Sequence, residues 1–452
     1  MLNKKATENL LKNQQLFILK NGYQVEELFY LFFAKLLLTK FFFSAILLAW
    51  FSLLNIFKVM FMSSISTPKQ HNVKPTKTEH LNQLKSKLGE FISKNVVLVI
   101  ALSLAIISCF IVKPDAQYLK YFDFKTLTCL FCTLAVVCAL KNISFFTITA
   151  KKIVALTGNT RTLSLALVYI TFIGSMFLAN DMALLTFLPL GYISLSATKK
   201  EKYMAPIFII QNISANLGGM LTPFGNPQNL YIYTKFNIPT VEFVQIMALP
   251  FILSIVLFTI CCLFIPKESL TLSNDENKQI DKKKTTFYLI LFAITILMVF
   301  RVIPYYICLP IILISILVTD RGALAKVDYA LLFTFVCFFL LAGNISRIGA
   351  VNEFFSSLLE KNALLTSILS CQVISNVPSA ILLSEFTTNY KELLLGVNIG
   401  GVGTLISSLA SLITFREFTS HVKGKTAQYL GLFTALNFGF LIVLTVTVML
   451  FI

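Results

Sequence analysis

Two fifteen-residue segments, 216–230 and 398–412, place small and amide-bearing residues between long apolar runs. The first reads NLGGMLTPFGNPQNL and the second NIGGVGTLISSLASL. Aligned from their first residues, they share Asn, Gly-Gly, Thr and a final apolar Leu. Glycine allows close approach to the backbone, and amide and hydroxyl groups donate and accept hydrogen bonds. Residues of these types at this spacing could bind an ion or a small polar solute.

The chemistry depends on helices that break inside a membrane. Unwound backbone costs several kcal/mol per unsatisfied group in lipid, so it persists only where it lines a buried or watery cavity. A break presents free N–H groups and a positive dipole end to an anion, and freed carbonyls to a cation. Small residues also serve tight helix packing, but two polar copies in register favour binding. The candidate ligands, with Pro223 to end one half-helix, are Asn216, Gly218, Gly219, Thr222, Pro223, Gly225, Asn226, Asn229, Asn398, Gly400, Gly401, Thr404 and Ser407.

Each segment follows two apolar arms that are separated by a polar tip, in the predicted hairpins 162–197 and 350–388. Basic residues on both flanks of the first hairpin place both of its ends in the cytoplasm. The arms are short for two ordinary spans, so we predict re-entrant hairpins whose tips stay inside the membrane. An acid at that depth is a candidate ion-coupling group. The candidate tip residues are Asn180, Asp181, Ser375 and Asn376.

Composition determines the protein class. The chain has 452 residues, of which 56% are hydrophobic and 13% charged, and its mean hydropathy is +0.79. These values exclude a soluble globular domain and predict an all-α polytopic membrane protein. The net charge of +17 comes from short basic clusters between apolar runs, which is typical of cytoplasmic loops and does not indicate nucleic-acid binding.

The loop charges give the predicted topology. About 10–11 transmembrane spans form two repeats, and the interrupted helix runs outward in the first repeat and inward in the second. Inverted copies that bring broken helices together near the midplane are typical of transporters. The predicted divisions are a first repeat 94–265 with broken helix 203–235, a cytoplasmic loop 266–285, and a second repeat 286–452 with broken helix 393–415 and last span 426–450.

A basic N-terminal region, 1–93, precedes the repeats. Its apolar stretch 26–57 contains Lys35 and Lys40, which weaken it as a span, and a lysine-rich polar linker that we expect to be cytoplasmic follows. Translation from Met60 or Met62 is an alternative start.

Other residue types argue against enzymatic or metal chemistry. Cys129 and Cys132 have metal-site spacing, but their apolar neighbours favour buried structural thiols. We expect His71, His80 and His421 to lie in loops. No phosphate-binding loop or nucleophile–base pair is evident, so we predict no enzyme, no cofactor, and an ion gradient as the energy source.

At ANDMALLTFLPL and NLGGMLTPFGNPQNL the sequence resembles the ion transporter superfamily, which includes sodium/dicarboxylate and citrate symporters, arsenite permeases and sodium/proton antiporters. The resemblance covers roughly residues 94–452. It implies two inverted repeats, a homodimer, and an elevator mechanism in which a transport domain slides against a scaffold. It also implies one sodium site at Asn180, Asp181, Gly218, Thr222 and Asn226, and another at Ser375, Asn376, Gly400, Thr404 and Ser407, with substrate between them.

The tips depart from the Ser-Asn-Thr pattern of the dicarboxylate branch. Asp181 looks more like the arsenite and sodium/proton branches, and its charge would repel a dicarboxylate unless a proton or Na⁺ neutralised it. We therefore predict a plasma-membrane secondary active transporter of a small anion, coupled to Na⁺ or H⁺. A cation/proton antiporter or arsenite-type permease is the alternative within transport. An anion channel or a non-transporting scaffold is the alternative outside it.

Overall fold

The computed structural model describes residues 95–270 and 281–451. The apolar stretch 26–57, the linker, the alternative start, His71 and His80 lie outside the described residues. Within the described ranges the chain is helical, and extended pairing is limited to one bridge between Asn159 and Ser269. The helices are α1 (Val96–Ile111), α2 (Phe124–Asn142), α3 (Phe145–Val154), α4 (Thr160–Leu178), α5 (Asn180–Ala197), α6 (Met204–Gly218), α7 (Pro227–Lys235), α8 (Thr240–Leu263), α9 (Lys282–Val299), α10 (Tyr305–Thr319), α11 (Arg321–Ala325), α12 (Tyr329–Ser346), α13 (Gly349–Ile374), α14 (Asn376–Leu383), α15 (Tyr390–Ile399), α16 (Leu409–His421) and α17 (Thr426–Phe451).

Several of these helices are long and apolar enough to cross a bilayer. Among the described residues there are six such helical stretches, including α8 and α17, and α1 and α10 are shorter apolar helices. Their outward faces carry exposed Ile, Leu, Val and Phe side chains, such as Phe110 and Leu450, as expected of surfaces that contact lipid. The protein is therefore an all-α polytopic membrane protein, as the composition predicts.

Apart from α3, which packs against α2, α4 and α5, the described helices form two groups. One, the hairpin group, contains α4 to α8 and α13 to α17, with α6, buried from Ile207 onwards, against α4, α5, α8, α16 and α17. The other, the peripheral group, contains α1, α2 and α9 to α12, in which α9, α10 and α11 pack on α2 and α1 packs on α12. The groups meet mainly where α7 lies against α2 and α14 lies against α12.

The second hairpin differs from its predicted outline. The first arm of the predicted hairpin 350–388 is kinked at Asn362, whose φ of −164° and ψ of 96° are not helical. The Asn362 side chain accepts a hydrogen bond from Leu365 N at 2.7 Å, and Glu392 Oε2 accepts one from Leu364 N at 3.1 Å. These two acceptors satisfy the orphan amides of a new helical start, so a polar cap and not an apolar pattern decides where the arm begins.

A charged cluster holds the base of the first hairpin. The Glu268 carboxylate, in the segment after α8, accepts bonds from Lys200 at 2.5 Å, from Lys202 at 2.6 Å and from Tyr203. These donors lower the pKa of Glu268 to about 2. The backbone of the same segment pairs with the start of α4 through Thr160 N and Glu268 O at 2.9 Å. The beginning of the predicted cytoplasmic loop 266–285 is therefore docked, not free.

His421 is a correction to the sequence prediction. It is the last residue of α16 and does not lie in a loop. Its ring stacks on Tyr192 of α5 with 3.6 Å between centroids, and its Nε2 lies 3.2 Å from Glu417 Oε1. By contrast, Cys129 and Cys132 are buried, at 1% and 0% exposure, as predicted for structural thiols.

Candidate functional site

The two hairpin tips share one unusual backbone conformation. Ala179 has φ 65° and ψ 148°, and Ser375 has φ 74° and ψ 161°. This region of φ/ψ space is essentially restricted to glycine and costs about 1–3 kcal/mol for other residues. At each tip the next residue, Asn180 or Asn376, uses its Oδ1 to accept the following backbone N–H at 2.9 Å. The tips are therefore strained turns that point the first N–H groups of α5 and α14 into the protein.

The two polar segments are interrupted helices, as predicted from the glycines of both and the prolines of the first. In the first, α6 ends at Gly218, a short 3-10 turn continues to Leu221, and α7 begins at Pro227. In the second, α15 ends at Ile399 and α16 begins at Leu409. The residues before the new helices, Asn226 and Ser408, are both extended and occupy equivalent positions in the alignment. Proline at the first helical position lacks the N–H that would be orphaned there.

Close packing explains the glycines of the first break. A Cβ on Gly219 would lie 2.7 Å from Asn226 Cγ and 2.8 Å from the Gly225 carbonyl oxygen, and still closer to Asn226 Oδ1. A Cβ on Gly225 would collide with the carbonyl oxygen of Gly219 and the hydroxyl of Thr222. The loop is thus folded tightly around several oxygen atoms, with no space for side chains at these positions.

Equivalent threonines join each break to its hairpin. Thr222 Oγ1 donates to the carbonyl oxygen of Met176 at 2.9 Å, and Thr404 Oγ1 donates to that of Gln372 at 3.0 Å. Met176 and Gln372 each precede their strained tip residue by three positions. The same contact therefore recurs in both halves of the chain.

Asn216 is the centre of the site. Its Oδ1 accepts bonds from Asn180 Nδ2 at 2.9 Å and from Ser408 Oγ at 2.8 Å, and its carbonyl oxygen accepts one from Asn226 Nδ2 at 3.1 Å. Asn180 is the first residue of α5, and the other two donors immediately precede α7 and α16. Three helix N-termini therefore meet at one buried residue, two of them at its side chain and one at its backbone carbonyl.

Asn398, the counterpart of Asn216, completes the link between the halves. Its Nδ2 donates to Asn229 Oδ1 at 2.6 Å, and its Oδ1 lies 3.5 Å from Asn226 Nδ2. One turn before Asn216, Asn212 Nδ2 donates to Ser411 Oγ at 3.2 Å. All of these side chains are at most 2% exposed, so the two interrupted helices cross through a dry ladder of amides and hydroxyls.

The first tip lies deep in the fold. Asn180 meets α6 at Asn216, which is about 18 Å along the helix from its first residue, Met204, at 1.5 Å per residue. The arm α4 has 19 residues, which by length could cross a bilayer, so shortness alone does not distinguish a hairpin from two spans. The depth of the tip is instead set by its contact with the interrupted helix.

The residues of the first predicted sodium site converge only in part. Asn180 and Asn226 meet at Asn216, whereas Thr222 turns to the hairpin backbone and Gly218 packs against α4. Two acceptors there have no hydrogen-bond partner although they are buried: Asp181 Oδ1 and Asn226 Oδ1. Asn229 Nδ2 donates to the carbonyl oxygens of Gly219 and Met220, so the break is not held open by repulsion between them.

The residues of the second predicted site form two pairs of contacts. Ser407 O accepts bonds from Asn376 N at 3.0 Å and from Ser375 Oγ at 3.3 Å. Gly400 and Thr404 instead bind Gln372. Gly401 stands where a Cβ would lie 3.1 Å from Asn376 Nδ2, and Pro223, in the first break, is buried but starts no helix.

Sequence reasoning missed four residues that hold the site together. One signal was available for Asn212, which lies one helical turn before Asn216 and shares its helix face. Gln372 lies in α13 and Asn376 in α14, on opposite sides of the strained turn at Ser375, so no local signal marked Gln372. In the alignment of the two segments, Ser408 and Ser411 stand opposite the candidates Asn226 and Asn229. The missed residues are Asn212, Gln372, Ser408 and Ser411.

The site lacks basic side chains. Among the described residues, the fully buried polar side chains are Ser, Thr, Asn and Gln, without any Lys or Arg. A small cavity with room for about one water molecule lies beside the first tip, lined by Ala179, Phe224 and Pro227 and by Thr133 and Leu331 of the peripheral group. Positive potential at the site must therefore come from helix N-termini or from a bound cation.

Comparison with known proteins gives consistent matches. The citrate transporter family model matches residues 87–391. The chain is 33% identical over 302 residues to the Uncharacterized transporter MJ0456 of Methanocaldococcus jannaschii. The aligned region covers 67% of this chain and 83% of that protein. It is 29% identical over 279 residues to the Inner membrane protein YbiR of Escherichia coli, covering 60% of this chain and 74% of that protein.

Proposed function

The chain belongs to the citrate transporter family, and from that premise we propose that this multi-pass membrane transporter moves a small anion by secondary active transport, coupled to Na⁺ or H⁺. The observation that carries the proposal is the meeting of three helix N-termini, those of α5, α7 and α16, at Asn216. A fourth N-terminus, that of α14, is bonded to Ser407, directly before the Ser408 that contacts Asn216.

Helix N-termini favour an anion, but they do not neutralise it. Each carries roughly half an elementary charge, and no buried Lys or Arg among the described residues adds to it. A desolvated anion is costly unless it is paired. Co-binding of a cation at the unpartnered oxygens of Asp181 and Asn226 would neutralise the Asp181 carboxylate and so remove its repulsion of the anion, which is why cation coupling follows from this site.

The packing supports an elevator mechanism. The ladder of Asn216, Asn398 and their partners joins both halves of the hairpin group, which favours its movement as one body. The peripheral group touches it mainly through α2 and α12. The boundary includes the apolar ring packing of Tyr231 on Phe339, 5.5 Å between centroids. Arg301, between α9 and α10, also crosses it by donating to the carbonyl oxygens of Tyr233 at 2.7 Å and Ile238 at 3.1 Å, and sliding would have to break these two bonds.

The proposal is tested with the purified protein in liposomes. A panel of labelled mono-, di- and tricarboxylates and inorganic oxyanions is offered with an imposed Na⁺ gradient, an imposed pH gradient, or neither, with choline as the balancing cation. We expect one anion to accumulate above equilibrium under one of the two gradients. Equilibration without accumulation would indicate a channel, and absence of flux for every anion would indicate a scaffold.

Asp181 also supports a second candidate, a cation/proton antiporter or arsenite-type permease, because its buried carboxylate oxygen has no partner in the protein. Asp181→Asn removes the charge and keeps the size, so we expect cation-driven uptake to fall at least about 20-fold, a loss of about 1.8 kcal/mol of coupling. Asp281→Asn is the matched control. Asp281 caps α9 by accepting from Lys284 N at 3.2 Å, and asparagine caps equally well.

The two candidates separate in the exchange assay. In a cation-coupled symporter, Asp181→Asn should retain some exchange of labelled for unlabelled anion across the membrane. In an antiporter the same variant should lose exchange of the cation itself, measured with ²²Na⁺ or a pH dye, in the absence of any anion. Unchanged Na⁺ and H⁺ dependence in Asp181→Asn would remove both roles from this residue.

A further inference from the structure

Building on the proposed function, we infer that the coupling cation binds only at the first hairpin tip and break, because the Gln372 side chain fills the equivalent place in the second half as an internal ligand. One cation per transport site, not two, is the consequence.

Gln372 is the residue around which the second break folds. Its Nε2 donates to the carbonyl oxygens of Gly400 at 2.9 Å and Val402 at 3.2 Å, and its Oε1 accepts from Thr404 N at 2.9 Å. Gly403 adopts φ +133°, a conformation that favours glycine, and a Cβ there would lie 2.8 Å from Gln372 Cδ. The amide NH₂ thus occupies the position among freed carbonyls that a cation would require.

Three other carbonyl oxygens of the second break are also used, those of Gly401, Thr404 and Ser407. Gly401 O accepts from Ser407 Oγ at 3.0 Å, and Thr404 O accepts from the same hydroxyl at 2.8 Å. Ser407 O accepts from the hairpin tip, from Asn376 N and Ser375 Oγ. Among the described residues around this tip and break, no buried side-chain oxygen lacks a partner.

The first half differs at the corresponding positions. The residue three before the tip is Met176, whose thioether has no N–H to donate, where the second half has Gln372. Asn180 is tied through its side chain to Asn216, whereas Asn376 is tied through its backbone to the break. Asn229 binds three carbonyls of the first break, yet Asn226 Oδ1 and Asp181 Oδ1 remain without donors.

Carboxylate and amide oxygens are hard ligands suited to a cation, and Asp181 carries the charge that favours one. The second tip and break, residues 375–376 and 400–408, offer neither a charged side chain nor a buried side-chain oxygen without a partner. The second hairpin, held by the Gln372 contacts, acts as a fixed part of the site, and the first hairpin is the part that responds to the cation.

The test measures cation binding without transport. The unfolding midpoint of the detergent-purified protein is followed against Na⁺ from 1 to 300 mM with choline as the balancing cation, and separately against pH in choline alone. Each cation that binds only the folded state stabilises it by RT ln(1 + [L]/Kd). The midpoints are converted to free energies of unfolding, whose slope against ln[L] at saturation, in units of RT, is the number of bound cations. We expect a count of about one for wild type, and no response in Asp181→Asn and Asn226→Ala.

Reciprocal exchange of the equivalent residues separates the roles. Gln372→Met removes the amide at similar size, and we expect a lower unfolding midpoint but a cation affinity within about twofold of wild type. Met176→Gln places an amide beside the first break, and we expect it to weaken the cation affinity by about tenfold or more.

Several results would overturn the inference. They are a count near two, a cation response that survives in Asp181→Asn or Asn226→Ala, and no response of wild type to either cation. A tenfold loss of affinity in Gln372→Met would also overturn it. If Gln372→Met does not fold, Met176→Gln decides, because an unchanged cation affinity in that variant contradicts the inference. Anion uptake is measured independently, so failure here leaves the proposed function standing.

Discussion

Replacing Asn216 by Asp is expected to reduce anion uptake by at least about 100-fold while the protein remains folded, equivalent to about 2.7 kcal/mol. The carboxylate keeps the acceptor that Asn180 and Ser408 use, so the contacts that join α5 and α16 to α6 persist. It also places a fixed negative charge where three helix N-termini meet, and that charge competes with the substrate anion. Initial uptake rates, normalised to monodisperse protein by size-exclusion chromatography, measure the effect.

Alanine variants provide the matched comparison. Asn216→Ala removes the acceptor of two buried donors, each worth about 1–3 kcal/mol when left unsatisfied, so both stability and uptake should fall. Asn437 in α17 is equally buried, but its Nδ2 donates at 2.9 Å only to Phe433 O of its own helix. Asn437→Ala should change uptake less than about threefold. Uptake by Asn216→Asp within threefold of wild type would contradict the anion site.

Gly219→Ala is expected to lower uptake by at least about 50-fold, or about 2.3 kcal/mol. Gly219 has helical dihedrals, φ −64° and ψ −11°, so alanine fits the backbone and the effect must be steric. The new Cβ would displace Asn226, which lies against Gly219 and donates to Asn216. Loss of that contact opens the first break and separates the start of α7 from the site.

Gly431→Ala is the control for Gly219→Ala. Gly431 lies in α17, and a Cβ there would have no heavy atom within 4 Å. Alanine should leave uptake unchanged and raise stability by up to about 1 kcal/mol through helix propensity. Equal uptake by the two alanine variants would show that the tight packing of the first break is not needed for transport.

Local features were predictable because they depend on neighbouring residues. The end helices α8 and α17 begin and end within two residues of the predicted spans, since long apolar runs permit little else in lipid. The interruption between Gly218 and Pro227 also follows from local chemistry, because Gly and Pro weaken a helix wherever they occur. The kink at Asn362 has one local cap, its own side chain, but the second acceptor, Glu392, lies thirty residues away in the chain and could not be predicted locally.

Non-local partners account for the other misses. Gln372 sits in an apolar arm and has no local reason to be chosen, and only the fold wraps residues 400–404 around it. The predicted broken helix ends at residue 415, whereas α16 continues to His421. The His421 ring packs on Tyr192, which is more than 200 positions away in the sequence. Such partners are invisible to periodicity, which reports only which face of an element is apolar.

The sequence by itself determined that this is a helical membrane protein, that its helices break at two matching segments, and which amides and glycines those segments carry, because lipid and backbone chemistry act on each stretch of chain separately. Only the tertiary structure decided that the N-termini of α5, α7 and α16 meet at Asn216 and that the Gln372 amide occupies the second break. The physical reason is that a buried polar group must find its partner in space. In this fold many of those partners come from segments far apart in the chain.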